Sequence, residues 1–382
     1  MHTARNTKRN WGIDLLRIVC MLMVPILHVL RNGGVLAATE PLSASYEVAR
    51  LLNDACFCAV NCFALISGYV GYGSRHRFSG LFHICFQALF YTLGWTAAFL
   101  IVKPELVNRA VLFKALLPFI DSYWYLTAYF CLFFFMPYLD SIVRGLSKGG
   151  TRKLIAATVF VFSLLPTLLQ FIASALAIQK LGTDLAKTSS GYSFIWLAAL
   201  YVLGACIKKL DITASRRRCI VGFLASVALS WGWQLVADVL RSVAGIERLN
   251  AEILTSYTSP TVLGCAVCLL LLFSRLELPK RAIAFVRVFA PLSFGVYLFH
   301  VEPLPWDHIL KGAFAQIGSL PAPLMAGAVL LAATGIWLAG STVDFIRSKL
   351  FDLLRVNSMC NGLGGRMDRV LLPSSDNGQK PN

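Results

Sequence analysis

Ten mostly apolar stretches divide this chain, at about residues 11–30, 48–72, 80–102, 118–139, 153–175, 192–207, 219–240, 254–274, 289–310 and 322–346. A helix that crosses a bilayer needs about 17–25 such residues. Only 192–207 falls short. None of the stretches alternates apolar and polar residues as an outer-membrane barrel strand does. Charged residues make up 14% of the chain and hydrophobic ones 57%, against about 25% charged in a soluble domain. So much apolar surface cannot be hidden from water in one core. The fold expected is all-α, a polytopic membrane bundle of about ten transmembrane helices.

The loops orient it. With the N-terminus inside, Arg5, Lys8 and Arg9, then Arg75 and Arg77, then the basic clusters at 144–153, 208–218, 275–287 and 347–380 share one side. Of 35 Lys and Arg, 24 fall there and 10 on the opposite side, and Arg17 alone lies within a span. Basic loops stay in the cytoplasm, so both termini are expected there. The net charge of +16 thus reads as a topology signal and not as a nucleic-acid surface. The expected organisation is a cytoplasmic segment over 1–10, a transmembrane domain over 11–346 and a cytoplasmic tail over 347–382. That tail contains NGLGG and PSSDNGQKPN and is expected to be disordered.

Several function classes lose support. The N-terminal basic residues, apolar run and VLAAT resemble a signal peptide, but the run is too long and is interrupted by Asp14, Arg17 and His28, so a retained helix is expected. The 11 cysteines are odd in number and lie in or beside apolar runs, which argues against a disulfide framework. Cys265-x-x-Cys268 has no second pair and reads as free buried thiols; no metal site is expected. There is no Walker loop, HExxH or GxSxG elbow, the supports of an ATP-driven pump, a zinc protease and a serine hydrolase.

The first stretch, WGIDLLRIVCMLMVPILHVL, carries what a plain anchor does not need. At 100° per residue Arg17 and His28 fall within ~20° of each other, ~16 Å apart along the axis, with Asp14 ~40° from His28. Ionisable groups at membrane depth cost ~2.5–3.5 kcal/mol each and usually face a protein interior or wet cavity. The alternative is that Arg17 and His28 snorkel to the two interfaces. In the second span, Asn61, Ser67 and Gly68 interrupt the apolar pattern, as helix packing sites or as site residues. Arg75, His76 and Arg77 follow as topology signals or as a phosphate-binding cluster. Trp124 and Tyr125 suit an interfacial belt, and Asp121 is placed to touch an external substrate. Ser293, Tyr297 and His300 share one helix face, as an internal network or a site, with Glu302, Asp307 and His308 at the outer end.

Four segments in order resemble the acyltransferase-3 family of bacterial membrane O-acyltransferases. GIDLLRIVCMLMVPILH carries the Arg, ten residues, His pattern as Arg17 and His28. FALISGYVGY resembles the second-helix segment, with Phe63-Ala64 where the family has paired Phe. SYWYLTAYFCLFFFMPYLD and SFGVYLFH resemble the fourth-helix and late segments. The resemblance covers about 10–345 and implies transfer of an acyl group, usually acetyl from cytoplasmic acetyl-CoA as co-substrate with no bound cofactor, to a hydroxyl of a cell-envelope glycan or lipid-linked precursor. It implies a multi-pass protein of the bacterial cytoplasmic membrane. The family's hydrolase-like C-terminal domain is not seen, so acceptor handling is expected in the membrane domain or through a partner. It also implies His28 as catalytic base and Arg17 as a second catalytic residue that helps hold the donor or orient the site. On that footing Asp14, Ser67, Tyr297 and His300 are supporting residues, Arg75 and Arg77 bind donor phosphates, and Asp121, Trp124, Tyr125 and Glu302 lie on the acceptor side. Direct transfer and an acyl-histidine intermediate fit equally. The rival class is a flippase or transporter for a lipid-linked sugar, which would leave the CoA thioester intact.

Overall fold

The computed structural model describes residues 9–371 except 121, 177, 179–183, 185–186 and 247. Nine helices among the described residues are long and apolar enough to cross a membrane. The tenth stretch forms Phe194–Lys209, 16 residues, which rises only ~24 Å against a hydrocarbon core of ~30 Å. It is held by burial, with Trp196, Leu197 and Leu200 at 0% exposure.

Its closest neighbour is Ala59–Gly71. A Cβ on Gly68 would collide with the Tyr201 carbonyl, and one on Gly204 with the Leu65 carbonyl. Two small residues thus bring two backbones into contact, the usual device where lipid removes the hydrophobic drive between helices. Gly68 is a packing residue. Asn61 is another: its amide donates to the Tyr257 carbonyl at 2.7 Å and accepts from the Trp196 indole at 3.0 Å.

Trp11–Leu30 is the hub. It begins at Asn10, whose side chain accepts from the Ile13 amide at 3.1 Å, a cap that satisfies one of the free N–H groups of the first turn. Around it pack Ala44–Cys56, Ala59–Gly71, Pro260–Ser274, Lys280–Phe289, Ser293–Val301 and Ala322–Leu353. A helix so enclosed shows its polar stripe to protein rather than lipid.

Three boundaries differ from the apolar runs. The second span is two helices, Ala44–Cys56 and Ala59–Gly71, broken at Phe57 and Cys58. The 289–310 run is displaced: the span runs from Lys280 to Val301, bent by a tight turn at Ala290–Leu292. Pro303 and Pro305 then end it, since neither has an N–H for the helix ladder. The third difference is in the tail, expected to be disordered over 347–382, of which residues 372–382 lie outside the described residues. Ala322–Leu353 continues through residue 353, and Val356–Leu371 forms a further helix. Its glycines are not linker residues. A Cβ on Gly364 would collide with the Ser79 backbone, so glycine lets this helix cross the start of Phe78–Val102. Cys360 is buried in the same face.

Candidate active site

His28 ends the first span and His300 lies near the end of Ser293–Val301. That nine-residue helix stops at Pro303, leaving its last carbonyls without intrahelical partners. Two side chains satisfy them: the Tyr123 hydroxyl donates to Leu298 O at 3.1 Å and the Trp95 indole to Phe299 O at 2.9 Å. The result is a fixed platform for His300, which is 2% exposed.

His300 Nδ1 lies 2.5 Å from the Val296 carbonyl, and His300 Nε2 lies 2.9 Å from His28 Nδ1. A carbonyl only accepts, so Nδ1 of His300 carries the proton and its Nε2 is bare. His28 Nδ1–H must then donate to it. With both rings neutral, the remaining lone pair sits on His28 Nε2. Trp306 packs edge-on against the His28 ring, centroids 4.6 Å apart, which limits its rotation.

His28 lines a cavity of about 300 Å³ with Arg17, Met21, Val24, Phe63, Trp124, Tyr125, Tyr129, Tyr257, Ser293 and Tyr297. A second cavity, about 1120 Å³, lies toward the end of the bundle that the charge bias assigns to the cytoplasm. It is lined by Arg75, His76, Arg77, Arg144 and Arg369 among others. Arg17, Ser67 and Tyr129 line both, so they form the neck between a wide basic chamber and a narrow, mostly apolar one.

The neck is braced from the helix start. Asp14 is 5% exposed; its Oδ1 accepts from Arg17 Nη1 at 2.5 Å and its Oδ2 from Arg9 Nε at 2.6 Å. One carboxylate between two guanidiniums fixes the direction of Arg17, and charge-assisted bonds of this kind are about twice as strong as neutral ones.

The basic loop is held at both ends. Asp140 Oδ1 accepts from the Gly73 amide at 3.3 Å while its Oδ2 pairs with Arg144 at 3.0 Å. Asp368 Oδ1 accepts from the Phe78 amide at 2.8 Å. Between these points stand Arg75, His76 and Arg77. The His76 ring rests on Phe133 at 4.0 Å, and its Nε2 is buried without a hydrogen-bond partner. Burial pushes its pKa below the ordinary histidine value, and the nearby Asp368 only partly opposes this.

Most sequence-derived candidates converge here. Trp124 and Tyr125 face the His28 cavity rather than forming an outer belt, with the Trp124 ring against Tyr192 and Tyr257. Tyr297 joins them, its hydroxyl buried and without a well-aligned partner. Ser67 bonds back to Phe63 O at 2.9 Å and lines the neck. Glu302 does not line either cavity; it is buried and accepts from the Leu304 amide at 2.8 Å, capping the turn after the span. Asp307 and His308 are exposed. Asp121 lies outside the described residues. Among those residues no cluster of His, Cys, Asp or Glu is arranged to hold a metal ion.

Several residues escaped the sequence reading, Tyr129 and Tyr257 of the cavity linings and Asp344 among them. Asp344, 0% exposed, accepts from Gln87 Nε2 at 2.8 Å, from the Tyr91 hydroxyl at 2.9 Å and from Arg347 through two bonds of 2.8 Å. Gln87 itself lines the His28 cavity. The signal was present: an acid inside the last apolar run, with an arginine three residues on.

The acyltransferase-3 family model, described as an acyltransferase domain, matches residues 10–341. No curated protein and no solved structure matches the chain. The matched region includes both histidines, the neck and the basic loop, and stops before Asp344 and the Val356–Leu371 helix. The chain therefore belongs to the acyltransferase-3 family and is a multi-pass membrane acyltransferase.

Proposed function

We propose that this enzyme transfers an acetyl group from cytoplasmic acetyl-CoA to a hydroxyl of an envelope polysaccharide or lipid-linked glycan, in the cytoplasmic membrane of a bacterium. The observation that carries the reading is the pair of cavities joined at Arg17, Ser67 and Tyr129, the wide one basic and the narrow one ending at His28. CoA has the matching shape, a polyanionic nucleotide followed by a thin pantetheine arm. The nucleotide belongs with Arg75 and Arg77, the diphosphate near Arg17, and the thioester beside His28. Trp124, Tyr125 and Tyr257 offer flat faces of the kind that stack on a pyranose ring.

An alcohol is a poor nucleophile at neutral pH. His28 Nε2 takes its proton as the oxygen attacks the thioester carbonyl, a contribution of typically ~10²–10⁴-fold. His300 Nε2 continues to accept from Nδ1–H, which stabilises the imidazolium. The Tyr297 hydroxyl is available to donate to the oxyanion. The C–S bond then breaks, the new ester C–O bond remains, and the leaving thiolate recovers the proton from His28 Nε2. The products are an acetyl ester and free CoA thiol.

The test compares envelope glycans and CoA thiol release with wild type, with His28→Ala and without the protein. Wild type is expected to add the mass of an acetyl group to the glycan; His28→Ala is expected to insert but not to transfer. Transfer at the wild-type rate by His28→Ala refutes the role of His28, and a succinyl increment would reassign the donor.

A further inference from the structure

The Val356–Leu371 helix lies wholly beyond the region shared with the family, residues 10–341, yet it forms a wall of the basic chamber through Gly365, Asp368 and Arg369. Two contacts dock it: the close crossing of Gly364 over Ser79 and the Asp368 bond to the Phe78 amide. The second fixes the end of the Arg75–Arg77 loop. Among the described residues, Arg75, Arg77 and Arg369 have no carboxylate partner. Arg144, by contrast, is paired with Asp140. Three guanidiniums without an ion-pair partner among the described residues thus face one chamber from two elements, Arg369 with its Nε donating to the Gly365 carbonyl of its own helix at 3.2 Å and its terminal nitrogens left for an anion.

We propose that this C-terminal helix completes the donor site: Arg369 binds the phosphates of the acyl-CoA nucleotide directly, and Asp368 acts as a positioning residue that holds the Arg75–Arg77 loop. This rests on acyl-CoA being the donor. Phosphates lie at the far end of the donor from the thioester. With the thioester at His28 and the arm through the neck, they fall in the wide chamber where these three arginines stand.

The experiment measures acetyl-CoA binding to the purified full-length protein across a range of salt. Arg369→Ala is expected to weaken binding about tenfold at low salt, with Arg369→Lys between. The gap should narrow as salt rises, because exposed charges are screened. Asp368→Ala should also weaken binding. Asp368→Asn keeps an oxygen for the Phe78 amide and removes a negative charge, so it should bind at least as tightly as wild type. Absence of acetyl-CoA binding by wild type overturns the donor assignment and this inference with it. Wild-type binding that Arg369→Ala leaves unchanged overturns this inference alone. So does a salt-independent loss accompanied by a lowered melting temperature, since that marks a structural effect.

Discussion

His300 presents a bare Nε2 to His28 Nδ1 at 2.9 Å because its other nitrogen is bound to the Val296 carbonyl. The tautomer of His28 is therefore set by a residue 272 positions away. His300→Ala should let both tautomers of His28 form. We expect kcat to fall about 10–100-fold, by analogy with the loss when the hydrogen-bond partner that orients a metal-bound histidine is removed, with the donor KM unchanged. Gln at 300 can offer its amide oxygen near the position of Nε2 and should recover part of the loss. Full activity in His300→Ala would show that the tautomer lock is unused.

Arg17 joins the two cavities and is held by Asp14. Arg17→Ala should raise the donor KM by about tenfold or more. Lys should not replace it well, since a point charge cannot face Asp14 and the neck with the same planar fork. Asp14→Ala frees Arg17 to turn, so its effect should also appear in KM. Because the two residues act as a pair, the double variant should cost less than the sum of the singles. Additive effects in the steady-state kinetics would separate them.

The sequence revealed some of this and hid the rest for physical reasons. Asp14, Arg17 and His28 could be placed on one stripe because helical periodicity is local. That His300 meets His28 could not be read, because in a bilayer both lipid-facing and core-facing surfaces are apolar, so hydropathy does not say which helices touch. Asp344 was readable as an acid in an apolar run, although its partners Gln87 and Tyr91 were not. The tail up to residue 371 was misjudged because Gly362, Gly364 and Gly365 look like a linker in isolation, and only the crossing over Ser79 explains Gly364.

Asp344 holds together a buried polar network. Removing its carboxylate leaves the Arg347 guanidinium and the Gln87 and Tyr91 donors without their acceptor in a mostly buried site. Breaking a buried pair in this way costs ~3–5 kcal/mol. Asp344→Ala should lower both the melting temperature and the yield of folded protein, while Asp344→Asn, which retains one acceptor, should lose less. Removing Arg347 as well should restore part of the stability. Melting curves of the purified variants decide this, and an Asp344→Ala protein as stable as wild type would count against a structural network here.

Gly68 tests the packing of the short Phe194–Lys209 helix. Ala at 68 puts a methyl group against the Tyr201 carbonyl, so the helices must separate. Overpacking of this kind costs ~1–3 kcal/mol. The loss should appear as a lower melting temperature, and Gly204→Ala should act similarly from the facing helix. Unchanged melting in both would mean the two helices have room that the backbone contact denies.

His76 should couple donor binding to protons. In the free protein its burial against Phe133 keeps its pKa below the ordinary value, so it is neutral at cytoplasmic pH. Donor phosphates in the same chamber favour the imidazolium and would raise that pKa. Between the two values, binding takes up a proton, so affinity should rise as pH falls through that window. Below the lower value the ring is charged in both states and the slope vanishes. Phosphate titrates nearby, with a second pKa of about 6, and its protonation weakens binding in every variant. The useful quantity is thus the ratio of acetyl-CoA dissociation constants for wild type and His76→Phe, which keeps a ring on Phe133 but cannot titrate. That ratio should shift in favour of wild type as pH falls from about 7.5 to about 5.5, the range in which histidine changes charge. Parallel profiles would remove His76 from the donor site and leave it as a packing residue of the loop.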